Sequence, residues 1–422
     1  MAEKKKKTPK TSKAKAKPPP VEKTPVLTRK QEAIALLQKE LDARYGAGTL
    51  RTAANVPDTF SLRRPTGIPS LDLLLKGGFP AGGMAQIIGE DGAGKTDISW
   101  RTLAQGQLNY GDEFAGALVS VEKVDKSQGR FAGAHIEYTP EEMQEILDDG
   151  VDLPAEELVE LTRPGNIYAP FPYGTDGSAE MVLNLVLDLY ASRQFQIIVL
   201  DSVAALAPRA VLEKNVSEDA RVAALAGKLT MFMQKFWTIG MQLDNKGRPN
   251  ETTLIVLNQF REEVNLSNPK ADKLRIMGGR AMKHGKLVDL YLMKGGSIYS
   301  DDAEDVIGAA TKRKVLLGRA ITAKILKGKA GLHDGPTCQW RYLHALGIDI
   351  PDSFVSLWKY YSDSPLLADI GYEIRGANYY IGGVRHQGKE NAALAFQQNP
   401  ELALPLMEAF YKIERVPKFR VV

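Results

Sequence analysis

The order of apolar and polar positions divides the chain into three regimes. Residues 29–46, RKQEAIALLQKELDARYG, carry Ile34, Leu37, Leu41 and Tyr45 at three- to four-residue spacing. That spacing predicts one amphipathic helix, stopped near Gly46 and Gly48. From residue 63 the pattern changes to short continuous apolar runs: MAQIIG (84–89), GALVSV (116–121), FQIIVL (195–200), TLIVLN (253–258), LVDLYLM (287–293) and ITAKIL (321–326). Runs this continuous suit strands buried on both faces. With helical or loop segments between them they predict an α/β fold built on a mostly parallel sheet with right-handed crossovers. Ligands of such sheets sit at the carboxyl ends of the strands. Ahead of both regimes, residues 1–28 are rich in Lys, Pro and Ala with almost no large apolar side chain. Such a stretch buries too little surface to offset its chain entropy, so a disordered tail is expected.

Charge follows the same division. The net charge of +4 is the balance of a tail and a body of opposite sign: residues 1–30 hold eleven Lys or Arg against two Glu, or +9, which leaves −5 for the rest. The tail reads either as a cationic arm that meets nucleic acid by counterion release or as a solubilising, address-like extension. A second concentration of charge lies at about 133–163, where Glu137–Arg163 holds ten acidic residues and one basic. Pro140 and Pro154 there read as first-turn residues of two short helices. This stretch is either a solvated acidic surface or a lobe that competes with nucleic acid or meets the Lys-rich tail. Cys338 is the only cysteine, which excludes an intrachain disulfide and fits a reducing compartment. No apolar run approaches the roughly 18 residues of a membrane span, and the N-terminus lacks an apolar signal core. A cytoplasmic protein without a membrane partner is expected.

The chemistry concentrates where the run MAQIIG ends. Gly89, Glu90, Asp91, Gly92, Ala93, Gly94, Lys95 and Thr96 match G-x-x-x-x-G-K-[ST] at every fixed position. Glycines let consecutive backbone N–H groups turn inward around phosphate oxygens. Lys95 can reach the β- and γ-phosphates, and the Thr96 hydroxyl can ligate Mg²⁺. The following DISWRTLAQGQL reads as a helix whose N-terminal dipole favours the anion. ATP and Mg²⁺ are therefore the expected cofactors. Other strand ends supply partners. FQIIVL runs into Asp201, an acid placed to hold Mg²⁺ with Thr96. GALVSV runs into Glu122, placed as a general base that polarises the attacking water. TLIVLN runs into Gln259, an amide where a γ-phosphate sensor sits.

These residues resemble the bacterial RecA-type homologous recombinases. PTGIPSLDLLLKGGFPAGGMAQIIGEDGAGKT resembles that family's entry into its ATPase core, IIVLDSVAALAPRAVLE its second acidic motif, and LIVLNQFRE its sensor strand. RKQEAIALLQKELDARYGAGTL resembles its protomer-docking N-terminal helix, and GYEIRGANYYIGGVRHQGKENAALAFQQNPELALPLMEAFY its C-terminal domain. The resemblance covers roughly residues 29–422. It implies a tail at 1–28, a docking helix and linker at 29–62, a RecA-like ATPase core at 63–344 and a small α+β C-terminal domain at 345–422. It further implies a homo-oligomeric helical filament on single-stranded DNA that pairs with duplex DNA and exchanges strands, helped by a mediator or single-strand-binding protein. In KILKGKAG it assigns Lys327 and Lys329 to the ATP of an adjacent protomer.

The resemblance also implies two DNA loops. The first, at about 209–221, runs from Arg209 to Arg221. The second, at about 261–283, offers Arg261, Lys273, Arg275, Arg280 and Lys283 for phosphates. In it Ile276 and Met277 are placed to wedge between bases, and Gly278 and Gly279 to allow close backbone approach. The chain departs from the family in a shorter first loop without glycines, a longer second loop without its large aromatic, His284 in place of an aromatic, and a C-terminus ending VPKFRVV rather than in an acidic run. Two other functions share such a core: a hexameric helicase or motor, and a non-hydrolysing DNA-coating scaffold.

Overall fold

The computed structural model describes residues 28–149, 151, 153–170, 177–213, 223–262, 274–276, 282, 285–304 and 313–416, with backbone alone at 223, 261–262, 274–276, 301–304 and 313. By its contacts the chain forms two compact units, residues 1–57 and 58–422.

The first unit is organised by α1 (Arg29–Tyr45). Thr28 caps it in a reciprocal box: its hydroxyl accepts from the Gln31 N–H while the Gln31 side chain accepts from the Thr28 N–H. Gly46 ends it at φ 106°, a conformation that favours glycine. No residue of this helix is buried, so the stripe of Ile34, Leu37 and Tyr45 faces solvent.

The second unit opens with a two-stranded ladder of β1 (Arg63–Arg64) and β2 (Phe79–Pro80), joined through α2 (Pro69–Leu74). Its sheet then takes in β3 (Met84–Gly89), β4 (Gly116–Ser120), β5 (Ile167–Tyr168), β6 (Ile197–Asp201) and β7 (Thr253–Asn258). A short hairpin follows, β8 (Phe260–Glu262) with β9 (Leu274–Ile276). The sheet is completed by β10 (Val288–Glu304), β11 (Arg313–Gly328), β12 (Thr337–Leu343) and β13 (Gly347–Ile348). The nine strands lie in the order β13-β12-β11-β10-β3-β7-β6-β4-β5. From β5 to β10 every neighbouring pair is parallel; from β10 to β13 every pair is antiparallel.

The mostly parallel α/β sheet expected from the apolar runs is present. The last two runs supply its antiparallel part. LVDLYLM and ITAKIL belong to one long antiparallel hairpin, β10–β11, in which Leu290 lies opposite Ile325.

Alternate residues of the parallel strands feed two cores. Ile197, Val199, Ile255 and Leu257 face one side, packed with Ile98 and Leu103 of α3 (Lys95–Tyr110). Ile198, Leu200, Leu254 and Val256 face the other, packed with Val186 and Tyr190 of the helix Ala179–Ser192 and Phe232 and Phe236 of the helix Ala223–Met241. This period of two, with both faces covered, is why the strands read as unbroken apolar runs.

A third core closes the C-terminal region. The helix Ile350–Tyr360 and a three-stranded antiparallel sheet (Tyr372–Arg375, Asn378–Ile381, Val384–Gln387) surround the fully buried Trp358, whose ring meets Tyr372, Tyr379 and Phe396 edge-on. Leu73 of α2 enters this core as well.

The acidic stretch forms two short helices, Pro140–Asp148 and Ala155–Thr162. Pro140 occupies the first turn as expected; Pro154 sits one residue earlier, at the cap. The stretch is fastened to α3 by Gln107, whose amide donates to the carbonyls of His135 (2.7 Å) and Gly165 (2.6 Å). Glu142 fastens its first helix, accepting from Lys126 at 2.6 Å and Arg130 at 3.2 Å.

Candidate nucleotide site and the hairpin beside it

Register decides which side chains meet. Across the parallel strands Ser120 lies beside Asp201, Leu200 beside Val256, Asn258 beside Ile88, and Gly89 beside Leu292. The ends of β4, β6, β7, β3 and the middle of β10 therefore share one edge of the sheet. The loop 89–96 leaves β3 at that edge. Gly92 (φ 67°) and Gly94 (φ 84°) take left-handed conformations that a side chain resists, and Gly94 caps α3 so that Lys95 opens the helix. The loop's N–H groups and the helix N-terminus thus converge where an anion is favoured.

Lys95 is buried, and its ammonium donates to the carbonyls of Gly89 (3.0 Å) and Glu90 (2.8 Å). Burial pushes its pKa down, while Asp91 and Asp201 oppose that shift and the like charge of Lys294 adds to it. Thr96 donates its hydroxyl proton to Asp201 at 3.1 Å. Burial pushes the Asp201 carboxyl up, and the nearby Glu122 charge adds to the shift. The side-by-side hydroxyl and carboxylate suit Mg²⁺, which takes one or two protein oxygens and completes its shell with phosphates and water. Glu122 follows β4, exposed to solvent, with its N–H on the Ser120 hydroxyl at 3.1 Å. It is free to meet a water on the far side of a bound γ-phosphate. Among the described residues no cluster of three or more His, Cys, Asp or Glu is arranged for a metal.

Gln259 closes the site from β7. Its side-chain amide donates to the Asp91 carboxylate at 2.7 Å, joining the sensor position to the phosphate loop. The next residue, Phe260, starts the β8–β9 hairpin and packs edge-on against Tyr291 of β10, ring centroids 4.8 Å apart. In that hairpin Arg261 pairs with Arg275 and Phe260 with Ile276 through the backbone.

Lys327 and Lys329 stand elsewhere. Lys327 lies opposite Asp289, three residues before the Leu292 that flanks Gly89. They therefore occupy the end of β10–β11 remote from the protomer's own phosphate loop. The turn that carries them is fixed. The Gly328 N–H donates to Asp334 (2.7 Å), the Lys329 N–H to the Leu287 carbonyl (2.8 Å), and the Arg63 guanidinium to the Ala330 carbonyl (2.5 Å).

The structure brings together Gly89, Glu90, Asp91, Gly92, Ala93, Gly94, Lys95, Thr96, Glu122, Asp201 and Gln259. Of the DNA-loop residues, Arg209 is exposed at the start of a short helix, Arg209–Leu212, with its N–H on Glu180 at 3.0 Å. Arg261, Arg275 and Ile276 are described by backbone alone. Arg221, Lys273, Met277, Gly278, Gly279, Arg280 and Lys283 lie outside the described residues. Sequence reasoning missed Lys294, at the end of the run LVDLYLM. Its ammonium lies 4.0 Å from Glu90.

Comparison with known proteins adds an independent line. Residues 174–327 match the model of the RecA N-terminal domain, and residues 64–142 match the ATPase model described as KaiC. The chain is 26% identical over 381 residues to protein RecA of Nautilia profundicola, covering 89% of each chain. It is 27% identical over 383 residues to protein RecA of Streptomyces avermitilis, covering 89% of this chain and 83% of that one. It is also 27% identical over 293 residues to protein RecA of Bacillus subtilis, covering 69% and 70%.

Proposed function

We propose that the chain is a divergent member of the RecA-type family, which its similarities support, and that it is a DNA-dependent ATPase that assembles into a filament on single-stranded DNA and promotes homologous pairing and strand exchange. The observation that carries this reading is the position of Lys327 and Lys329. They lie roughly 10 Å of strand behind the residue that flanks the phosphate loop, given about 3.3 Å per residue. At that end of the sheet they lie away from the protomer's own phosphate loop, which supports a role at the nucleotide of another copy.

In this reading ATP lies between two protomers. One gives the N–H cradle of residues 89–96 and the Lys95 ammonium; the next gives Lys327 and Lys329 to the charge that develops on the γ-phosphoryl group. Cations supplied in trans in this way contribute roughly 10³–10⁵ in rate. Thr96 and Asp201 would hold Mg²⁺, which would supply neutralisation of phosphate charge. Glu122 orients the water, whose oxygen forms the new bond to phosphorus as the bond to ADP breaks. Gln259 changes partner from Asp91 to the γ-phosphate, and the change passes through Phe260 into the second DNA loop. Arg209, Arg221, Arg261, Lys273, Arg275, Arg280 and Lys283 bind phosphates of the DNA, Ile276 and Met277 act between its bases, and Gly278 and Gly279 allow the backbone close. The exposed stripe of α1 docks on a neighbouring protomer.

Strand-exchange assays with homologous and heterologous duplexes test the activity. Product from the homologous duplex alone supports it; no product, or ATP turnover indifferent to single-stranded DNA, contradicts it. Electron microscopy that shows closed rings rather than helical filaments would favour a motor.

A further inference from the structure

The loop 89–96 carries two acids of its own, Glu90 and Asp91, both exposed, where a bare phosphate cradle has no use for negative charge. With Glu122 and Asp201 nearby, Asp91 is one of three carboxylates whose charges reach the single buried ammonium of Lys95. A triphosphate entering this field meets repulsion that the cradle alone does not cancel. Asp91 is engaged by Gln259 at 2.7 Å. Glu90 is engaged by Lys294, with 4.0 Å between the ammonium and the carboxylate.

Lys294 arrives there by strand geometry. β10 runs parallel to β3 with Leu292 beside Gly89, so Lys294 is the next residue of the same face beyond the end of β3. The β10–β11 register then shifts between Lys294 and Ser297, a bulge that bends the strand away just after this lysine. The ammonium lies 3.8 Å from the point where a side chain on Gly92 would begin. It stands over the middle of the phosphate loop and is close enough to Lys95 to lower that lysine's pKa.

We propose that Lys294 is a second phosphate-binding lysine of this nucleotide site, supplied by the same protomer and resting on Glu90 until a β- or γ-phosphate takes Glu90's place. The inference rests on the reading of residues 89–96 as an ATP site and adds a ligand to it. A flexible ammonium moves between carboxylate and phosphate by side-chain rotation alone. The exchange also leaves Glu90 free to turn to solvent.

The test is ATP affinity of the full-length protein without DNA, measured by competition against a fluorescent ATP analogue. Wild type should bind and Lys95→Ala should not; if wild type fails to bind or Lys95→Ala binds as well as wild type, the ATP-site reading itself fails. Given that control, Lys294→Ala should weaken ATP by about ten- to a hundredfold, the scale of one lost charge-assisted contact, and Lys294→Arg should recover most of it. The double variant Glu90→Gln/Lys294→Ala separates contact from simple neutralisation. Affinity that stays weak in the double variant supports a phosphate contact. Wild-type affinity in the double variant, or in Lys294→Ala alone, overturns the proposal.

Discussion

The side-chain amide of Gln259 donates a hydrogen bond to the carboxylate of Asp91 across 2.7 Å. Gln259 belongs to the chain segment that leads into the β8–β9 hairpin, and Asp91 to the phosphate loop. In the proposed function a γ-phosphate and Asp91 compete for this amide. Because Phe260 follows directly and packs on Tyr291, any displacement of Gln259 moves the base of that hairpin.

The first prediction follows from that competition. Gln259→Ala should keep ATP affinity within about threefold, since on binding the amide exchanges one charge-assisted hydrogen bond, to Asp91, for another, to the γ-phosphate, and the two largely offset. It should abolish the ATP-induced change in affinity for labelled single-stranded DNA, read by fluorescence anisotropy. Asp91→Ala should act in the opposite sense and raise DNA affinity without nucleotide. An ATP response of wild-type size in Gln259→Ala would remove Gln259 from the coupling.

Glu122→Gln preserves shape and removes the base. Turnover on single-stranded DNA should fall by about 10²–10⁴, the usual contribution of a positioned general base, while ATP and DNA binding persist. Steady-state hydrolysis together with nucleotide binding on the same variant checks it. Turnover near that of wild type assigns water activation elsewhere.

The acidic stretch has a titratable fastening. Lys126, the Thr139 N–H and Arg130 hold the Glu142 carboxyl down to about 2. Its folded pKa thus lies below the unfolded value near 4.3. The stability it contributes is fully present above that value and is lost as pH falls through the interval toward about 2. Hydrogen exchange of the helix Pro140–Asp148 should accelerate below about pH 4 in wild type. In Glu142→Ala it should be fast already at neutral pH, with little further dependence on acid. Equal protection in the two proteins at pH 7 would contradict the assignment.

How much of this was legible in the chain depends on whether the information is local. The phosphate loop could be read from consecutive residues, because an apolar run, glycines at fixed offsets and Lys-Thr all act on one another directly. Asp201, Glu122 and Gln259 could be read because each ends an apolar run, and parallel register places such ends at one edge. The β10–β11 hairpin could not be read in full. Beyond Met293 the strand continues as KGGSIYSDDAE, with no apolar run to mark it and with bulges that break the period. Lys294 beside Glu90 and Gln259 on Asp91 depend on register between segments far apart in sequence, which no periodicity encodes. Pro154 shows the smaller error. Proline's fixed φ suits the first helical turn, and Pro154 sits one residue before it, at the cap with φ −58°.

The central claim is that one ATP is served by two protomers, and mixing two inactive variants tests it most directly. Lys95→Ala lacks the cradle lysine but keeps Lys327 and Lys329; the double variant Lys327→Ala/Lys329→Ala has the converse defect. Each alone should be nearly inert in DNA-dependent ATP hydrolysis. Mixed in equal amounts on single-stranded DNA, they should recover about a quarter of the wild-type rate per protomer, because in a head-to-tail assembly one junction in four pairs the intact walls. A mixture no faster than the sum of its two components would contradict the shared site.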